Sequence, residues 1–260
     1  MNELLASERQ TQILQRLKAS GKVLAADLAV TFSVSEDTIR RDLRTLAGRG
    51  LCERVYGGAL TLSPSSGNLA TRQQQSALEK QRLGQRIAAE IKSGMTVFLD
   101  ASSTNLAAAK ALPDLPCTII TNAPAIAAAL DGQPSVTVIM IGGIIDRTVG
   151  GAIGSQAVEE VGRYRPDLCI LGACGIDPDA GLTCFSQEDA ILKRAASANA
   201  KRRITSSTVE KLRTRAPFLI VPLSGLSGLV ISGEPDTEFE TALARNRVSL
   251  LKAEERRIRD

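Results

Sequence analysis

Short apolar runs alternate with Ala-rich segments through most of the chain after residue 76, and this alternation constrains the fold more than any other feature. Residues 96–100, 117–121, 136–141 and 168–171 have the length and the Ile, Val and Leu content of buried strands. Strands that alternate with helices form mostly parallel sheets, because each crossover helix returns the chain to the starting edge. The sequence therefore predicts an α/β domain over residues 77–260.

Polar residues and glycines follow the predicted strands, at Asp100, Asn122, Gly143 and Asp177 and in the segment 205–208. In open α/β sheets, ligands bind at the carboxyl ends of the strands. We expect these positions to surround a small-molecule site. The alternative is structural: Gly142 and Gly143 would only turn the chain, and Asp177 would cap a turn.

A hydroxyl-rich turn, residues 101–105, joins the strand at 96–100 to an Ala-rich helix. The N–H groups at a helix N-terminus and the hydroxyls of Ser102, Ser103 and Thr104 are donors that suit an anion. The alternative is that Ser102 or Ser103 is simply the N-cap of the helix.

The first sixty residues have a different texture, dominated by helical spacing. Ile39, Leu43 and Leu46 share one face of a helix that Ser35 is placed to cap. The opposite face and its flanks carry the polar side chains Asp37, Thr38, Arg40, Arg41, Arg44 and Thr45. Arginine pairs with guanine and with phosphate, so this face suits DNA. The alternative is ordinary solvated charge.

Two earlier helical segments precede this helix, and an alternating stretch after Gly50 closes on Gly57 and Gly58 as a strand pair would. Three helices followed by a two-stranded wing indicate a helix-turn-helix, whose second helix enters the major groove. Residues 61–76 are polar and rich in Pro, Gly, Ser and Gln, and we expect them to form a linker. The predicted domains are thus residues 1–60 and 77–260.

Composition excludes several classes of function. The net charge of +4 is too small to indicate nucleic-acid binding by itself. The chain has no His, and its five cysteines form no C-x-x-C pair, so we expect neither a metal nor a disulfide framework. No dinucleotide fingerprint points to an organic cofactor. Without a signal-peptide core or an apolar run of membrane length, the expected location is cytoplasmic.

Four motifs in the first sixty residues resemble the winged helix-turn-helix of DeoR-type bacterial transcription regulators. They are E-R-Q-x-x-I-L at 8–14, V-S-E-D-T-I-R-R-D-L at 34–43, L-x-x-x-G-L at 46–51 and R-V-Y-G-G-A at 54–59. Tyr56 stands where the family usually has His. The resemblance and the helix face together imply DNA contacts from Ser35, Thr38, Arg40, Arg41, Arg44, Thr45, Arg54, Tyr56, Gly57 and Gly58.

Residues 79–251 resemble the DeoR-type effector domain, which is similar to the ribose-5-phosphate isomerase and CoA-transferase fold. The matching motifs are D-A-S-S-T at 100–104, T-N at 121–122, G-G at 142–143, G-x-I-G at 151–154, G-x-x-G-I-D at 172–177 and G-L-T at 181–183, with an acidic residue before K-R at 193–194. The resemblance implies that a phosphorylated sugar or related metabolite binds among Asp100, Ser102, Ser103, Thr104, Asn122, Gly143, Asp177, Asp189, Lys193 and Ser207.

The chain departs from this family pattern at two places. Ser102 and Ser103 replace the Gly and Thr of the first loop, and Thr205 and Thr208 replace the Asp and Lys of the later D-x-S-K-F-G motif. The lost Lys removes a charge that suits phosphate. Arg203 and Lys211 are candidates to replace it.

We therefore predict a sequence-specific transcriptional regulator, a repressor of a carbohydrate operon, that binds operator DNA as a homo-oligomer, dimer or tetramer. Two alternatives stay open. One is an enzyme of the isomerase or transferase type, in which Asp100, Asp189 and Lys193 do acid–base work. The other is a DNA-binding protein whose large domain only oligomerises. We expect no enzymatic activity.

Overall fold

The computed structural model describes residues 5–20, 22–49, 51–55, 57–61, 69–74 and 76–253. The chain divides into two compact units, Met1–Ser66 and Gly67–Asp260. Within the described ranges, no helix is both long and apolar enough to cross a membrane.

The first unit is a three-helix arrangement with a small antiparallel sheet. Its elements are α1 (Ala6–Ser20), β1 (Lys22–Leu24), α2 (Ala25–Phe32), α3 (Glu36–Gly48), β2 (Cys52–Val55) and β3 (Gly58–Thr61). The sheet order is β1-β3-β2, so that β3 pairs with both neighbours. The wing predicted after Gly50 therefore has a third strand, β1, which is too short to be predicted from its sequence.

Helix α3 begins where the sequence places its cap. The Ser35 hydroxyl accepts a hydrogen bond from the Thr38 backbone N–H at 3.2 Å, which satisfies a donor of the first turn. Ile39, Leu43 and Leu46 are buried and join Ile13 and Leu17 of α1 in the core of this unit. The apolar stripe thus fixes which face of α3 points outward.

A buried ion pair joins α1 to α3. The Arg9 Nε lies 2.6 Å from an Asp42 carboxylate oxygen, and both side chains are under 10% exposed. The Gln10 amide donates to the other Asp42 oxygen at 2.8 Å. The E-R-Q and R-R-D-L motifs therefore meet in space, and their contact sets the orientation of α3 on α1.

The tip of the wing requires glycine. Gly57 has a φ of +81°, in the left-handed region that side chains rarely adopt. A Cβ on Gly58 would lie 2.0 Å from the Val23 backbone oxygen, inside the strand pairing of β1 with β3. The paired glycines therefore allow the turn and the close strand approach together.

The second unit begins with α4 (Leu69–Gln74), α5 (Ala77–Ala88), β4 (Thr96–Leu99), α6 (Ser103–Ala111), β5 (Cys117–Thr121), α7 (Pro124–Ala129) and β6 (Val136–Met140). The chain continues through β7 (Ile144–Asp146), β8 (Gly151–Ile153), α8 (Ser155–Val161), β9 (Leu168–Leu171), β10 (Gly175–Asp177), β11 (Gly181–Cys184), α9 (Gln187–Ala198) and β12 (Arg202–Thr208). It ends with β13 (Phe218–Val221), β14 (Gly228–Ser232), α10 (Thr237–Arg245) and β15 (Ser249–Lys252).

Seven of these strands form one parallel sheet in the order β15-β14-β12-β9-β4-β5-β6. Alternate residues of each strand face opposite layers: Leu99 and Ile119 pack with α5, α6 and α7, whereas Phe98 and Ile120 pack with α8, α9 and α10. The α/β class and the parallel sheet predicted from the sequence are thus confirmed.

Two smaller sheets extend the domain. Strands β10, β11 and β13 form an antiparallel sheet, and β7 pairs antiparallel with β8. The sequence did not predict strands β7, β8, β10, β11 and β15. The segment 205–208, expected to follow a strand, belongs to β12, which lies between two strands of the main sheet.

Helix α4 occupies part of the segment expected to be a linker, residues 61–76. It belongs to the second unit. The side chain of Leu69 lies against Gly150, and Arg72 donates to the carbonyls of Thr148 and Val149 at 2.9 and 2.8 Å. These contacts outweigh the polar composition that favours a linker, so residues 69–74 are part of the large domain.

The Arg9–Asp42 pair gives a first prediction. Replacing Asp42 by Ala leaves the buried Arg9 charge without its carboxylate, and we expect the local free energy of unfolding of α1 and α3 to fall by about 3 kcal/mol. Asp37→Ala, on the exposed side of the same helix, is the control and should cost less than about 1 kcal/mol. Hydrogen exchange of peptides from both helices measures the difference, and equal protection in the two variants would contradict it.

Candidate functional site

Two arginines of α3 are exposed and without a carboxylate partner among the described residues, Arg41 and Arg44. Arg40 differs, because it pairs with Glu36 at 2.8 Å and with Asp37 at 3.5 Å. A guanidinium without a partner keeps its hydrogen-bond donors for a ligand. Arg41 and Arg44 are therefore the stronger candidates for contacts with a nucleic acid.

The other residues expected to contact DNA divide into three groups. Ser35 and Thr38 form the N-cap, with their hydroxyls 2.9 Å apart, and the Thr45 hydroxyl donates to the Arg41 carbonyl. Gly57 and Gly58 form the turn of the wing. Tyr56 and the Arg54 side chain lie outside the described part of the chain, so their predicted contacts stay predictions.

In the large domain, the order of the main sheet reverses between β4 and β9. The chain runs outward from β4 to β5 and β6 on one side, and β9 and β12 lie on the other. Ligands of open α/β sheets bind at such a switch point, beyond the carboxyl ends of the strands. Asp100 follows β4 at this position and is completely buried.

Asp100 is held by groups from both sides of the switch point. One carboxylate oxygen accepts from the Asn105 side-chain amide at 2.8 Å, and the other accepts from the Gly172 backbone N–H at 2.7 Å. Lys193 of α9 lies 3.3 Å from the second oxygen. The carboxylate thereby ties the loop after β4 to the loop after β9 and to α9.

Lys193 completes a buried charge cluster. Its ammonium also lies 2.7 Å from Asp189 and donates to the Gly172 carbonyl at 3.0 Å, so three acceptors match its three N–H bonds. Burial lowers the pKa of Lys193, but Asp100 and Asp189 outweigh burial and the pKa lies above its ordinary value. Burial raises the pKa of Asp100, and Lys193 opposes that effect.

Two glycines allow the loops to approach this closely. A Cβ on Gly172 would lie 2.3 Å from the Ser102 Cβ, and a Cβ on Gly151 would lie 2.6 Å from the Ala101 Cβ and 2.8 Å from the Asn122 amide nitrogen. The structure therefore brings the turn at 101–105 against the ends of β5 and β9. Asp100, Ser102, Asn122, Asp189 and Lys193 of the expected site lie in this region.

The first turn of α6 contains the remaining hydroxyls. The Ser102 hydroxyl accepts from the Asn105 N–H at 3.0 Å, so Ser102 is the N-cap that the sequence allowed as an alternative. Ser103 and Thr104 follow as the first helical residues, and each is under 10% exposed. Their backbone N–H groups stand at the positive end of the helix dipole.

Several buried polar atoms around this turn have no hydrogen-bond partner among the described residues. They are Oδ1 of Asn105, Asn122 and Asp189 and the Oγ1 of Thr208, which ends β12. Buried polar groups are nearly always hydrogen-bonded in proteins, so these atoms are candidates for bonds to a ligand or to water. Three of the four can only accept, and they match the hydroxyl donors of a polyol.

Three residues of the expected site have other surroundings. Asp177 accepts from the backbone N–H groups of Asp179 and Ala180 and pairs with Arg215 at 2.8 Å. Burial would raise the pKa of Asp177, but Arg215 and those amides hold it below its ordinary value. The Cβ position of Gly143 faces the Ile153 carbonyl, and the buried Ser207 hydroxyl donates to the Thr208 carbonyl. These contacts explain Asp177 as the cap of a turn.

The segment 205–208, where the family pattern has Asp and Lys, is buried in β12. The Thr205 hydroxyl donates to the Leu171 carbonyl at 2.7 Å, which is a structural role. Arg203 donates to the Ser197 and Gly225 carbonyls, so it is also engaged in the fold. Lys211, which contacts the Ala173 carbonyl at 3.5 Å, is the better candidate for the missing charge.

Sequence analysis missed two further cations near this edge, Arg72 and Lys80. Lys80 is buried on α5, and its ammonium donates to the Arg72 backbone carbonyl. No motif identifies either residue, because their proximity depends on how α4 packs on α5. The E-K pair at 79–80 within an amphipathic helix is typical of a solvated face.

The charge cluster gives a second prediction. Lys193→Met leaves Asp100 and Asp189 buried without their cation, and we expect about 3 kcal/mol less protection of β4 and β9 in hydrogen exchange. Asp189→Asn keeps one carboxylate with one ammonium and should lose less than about 1 kcal/mol. Lys201→Met, which removes an exposed ion pair with Asp167, is the matched control for the lost charge. A stable Lys193→Met variant would contradict the structural role of the cluster.

Two family models match the chain, one in each of its two units. Residues 9–65 match the model of the DeoR-like helix-turn-helix domain, and residues 75–233 match that of the DeoR C-terminal sensor domain. Among solved structures, ribose 5-phosphate isomerase A of Methanocaldococcus jannaschii is 14% identical, with a TM-score of 0.38 over 51% of this chain and 53% of that chain.

Two curated relatives are similar over nearly their whole length. The transcriptional repressor GlcR of Bacillus subtilis is 31% identical over 254 residues, which cover 95% of this chain and 96% of GlcR. The glycerol-3-phosphate regulon repressor of Escherichia coli is 35% identical over 247 residues, which cover 94% of this chain and 98% of that protein. The chain therefore belongs to the DeoR family of helix-turn-helix transcriptional regulators.

Proposed function

We propose that this protein represses transcription by sequence-specific binding of α3 to operator DNA, and that a small phosphorylated sugar or related metabolite bound at the sheet edge changes its DNA affinity. The arginine face of α3 supports the first part, since Arg41 and Arg44 are exposed and unpaired within the described residues. The relatives named for repression of a glycerol-3-phosphate regulon and of an aga operon support a carbohydrate-related target.

The observation that carries the effector proposal is the set of unpaired buried oxygens on Asn105, Asn122 and Asp189. Water satisfies such atoms in many proteins, but here they occur with a helix N-terminus at a topological switch point, where ligands bind. Oxygen acceptors bind the hydroxyls of a sugar, and the N–H groups at the start of α6 suit its anionic group.

The same geometry favours binding over catalysis. Asp100, Asp189 and Lys193 are the groups an enzyme would use for proton transfer. All three donors of Lys193 and both oxygens of Asp100 are taken by the fold, and among these three residues Asp189 alone keeps a free oxygen within the described part of the chain, its Oδ1. A general base needs a free acceptor within reach of the substrate proton. Turnover of aldose and ketose phosphates, followed by NMR, tests the enzymatic alternative.

We further propose a cytoplasmic homo-oligomer, dimer or tetramer. One winged helix contacts few phosphates, whereas two modules on repeated half-sites gain affinity through their effective concentration. Sedimentation equilibrium at micromolar concentration tests this step, and a monomer that still binds its operator tightly would contradict it.

The DNA-binding part gives a third prediction. We expect Arg41→Ala to weaken specific binding by about 1–3 kcal/mol, because a base contact is lost. Arg40→Ala should have a smaller effect, since Glu36 and Asp37 already hold that side chain. Fluorescence anisotropy on an operator selected from random DNA measures both, with Arg163→Ala in the large domain as the control.

The form of the loss distinguishes the two contacts available to Arg41. A base contact changes the preferred sequence, whereas a phosphate contact weakens binding to all sequences and lowers the salt slope by about one unit. Unchanged specific binding after the joint change of Arg41 and Arg44 to Ala would exclude this face of α3.

The effector part gives a fourth prediction. Calorimetry with glycerol 3-phosphate, glucose 6-phosphate and fructose 6-phosphate should identify a ligand, and Asp189→Asn should weaken it by about 1–3 kcal/mol because a buried acceptor is lost. Ser103→Ala should weaken it as well, and Asp131→Asn, an exposed position, should not. The best ligand must then change operator affinity. Binding that is unaffected by both Asp189→Asn and Ser103→Ala would place the ligand elsewhere.

A further inference from the structure

Three cations meet where α4 packs against the large domain: Arg72, Lys80 and Lys211. The Lys80 ammonium donates to the Arg72 backbone carbonyl, and the Arg72 guanidinium donates to carbonyls 148 and 149. Lys211 follows the end of β12 and contacts the Ala173 carbonyl in the loop after β9. Lys211 and Arg72 both lower the pKa of Lys80, so elements that are far apart in the sequence bring these positive charges near one another.

No carboxylate among the described residues forms an ion pair with this cation group, although Glu79 opposes the lowering of the pKa of Lys80 and Glu210 that of Lys211. Within the described residues, none of the three side chains forms an ion pair, although most buried charges in proteins are paired. The Nε of Arg72 is buried and has no hydrogen-bond partner there. Carbonyl oxygens satisfy individual donors but leave the net charge in place. The group thus has an excess of positive charge, and one of its hydrogen-bond donors, the Arg72 Nε, has no partner among the described residues.

The pKa values of both lysines in this group are lowered. Burial, followed by the charges of Lys211 and Arg72, lowers the pKa of Lys80 to about 8. Burial also lowers the pKa of Lys211, against a smaller effect of Cys174, and Arg72 and Lys193 add to the lowering. Burial is the largest cause for both lysines, and the neighbouring like charges add to it.

A cavity of about 340 Å³ has both Lys80 of this group and Ser103 of the first turn of α6 in its walls. It lies among α4, α5 and α6, and its walls include Lys80, Ser103, Lys110, Gln73 and Gln81. Among the described residues that line it there is no Asp or Glu. Ser103 belongs to the hydroxyl-rich turn, so Lys80 and that turn share one polar cavity, and Lys80 connects the cavity to Arg72 through their hydrogen bond.

From these contacts we propose that Arg72, Lys80 and Lys211, together with Ser103, form the subsite for the phosphate dianion of the ligand. This inference rests on the proposed function and names the group that supplies positive charge where Thr208 replaces the Lys of the family pattern. The unpaired oxygens of Asn105, Asn122 and Asp189 would then face the hydroxylated part of the same molecule.

The subsite has two physical consequences. Phosphate favours the charged form of Lys80 and raises its pKa, so binding near pH 8 takes up protons and weakens as the pH rises further. Arg72 lies on α4, which is the first described element after strand β3 of the wing. An anion that holds Arg72 therefore fixes the part of the large domain closest in sequence to the DNA-binding unit.

The test uses the full-length protein with glycerol 3-phosphate, inorganic phosphate and glycerol. Titration calorimetry near pH 8 in two buffers of different ionisation enthalpy measures affinity and proton uptake together. We expect both phosphates to bind with proton uptake and glycerol not to bind. Lys80→Met should abolish the uptake and weaken binding about tenfold or more, because one charged contact is lost.

Lys211→Gln is the second variant, since Lys211 is half-buried and its loss spares the contact between α4 and α5. It should also weaken both phosphates about tenfold. Lys92→Gln removes an exposed lysine beyond the end of α5 and should change neither affinity nor uptake. Phosphate affinity equal to wild type in Lys80→Met and Lys211→Gln would overturn the subsite while ligand control of DNA binding stood. Absence of phosphate binding to the wild-type chain would overturn it too.

The proposed function fails by a different result. If the wild-type protein selects no operator, or if bound glycerol 3-phosphate leaves operator affinity unchanged, repression under phosphosugar control is excluded. The calorimetric comparison of Lys80→Met with Lys92→Gln still decides the anion subsite in that case.

Discussion

The hydrogen bond from the Gly172 amide to the Asp100 carboxylate is the contact on which the large domain's site depends. It joins the ends of β4 and β9, the two strands between which the sheet order reverses. A carboxylate buried at this point needs a cation, and α9 provides Lys193. A Cβ on residue 172 would collide with Ser102. Because Gly172 has none, the first turn of α6 can pack against the same loop. The helix N-terminus, the polar acceptors and α9 thus take their positions from one buried carboxylate.

The winged unit uses a buried ion pair in a similar way. Arg9 and Asp42 lie on opposite helices, and their pairing orients α3 about its own axis as well as along α1. An apolar pair of the same volume would stabilise the contact at least as well, because burying two charges costs much of their attraction. The ion pair adds a directional contact to the apolar stripe of α3, and together they keep Arg41 and Arg44 on the outward face. Geometry is therefore the stronger reason for charge at this position.

The sequence predicted the parts of the fold that local chemistry determines. Strands of Ile, Val and Leu in the main sheet were found, as was the Ser35 cap of α3, because their signals lie within a few residues. Strand β12 was missed since its Ser and Thr residues suggest a loop, although burial between β9 and β14 makes it a strand. For the candidate site, motif resemblance indicated Asp100 and Lys193, which lie 3.3 Å apart in the structure. Lys80 and Arg72 could not be predicted from the sequence, because only the packing of α4 brings their charges together. Asp177 is a turn cap, and its partner Arg215 lies far along the chain.

The distribution of charge across the site argues for a ligand with two chemically different ends. Around Asn105, Asn122 and Asp189 the unpaired atoms are acceptors, and this region holds two carboxylates against one lysine. Around Arg72, Lys80 and Lys211 positive charge is in excess, and no described carboxylate forms an ion pair with these three side chains. Inorganic phosphate would occupy the second region alone, and an uncharged polyol would leave that region's charge unbalanced. A molecule that carries hydroxyls at one end and a phosphate at the other would satisfy both regions, so the proposed site would bind it more tightly than either group alone.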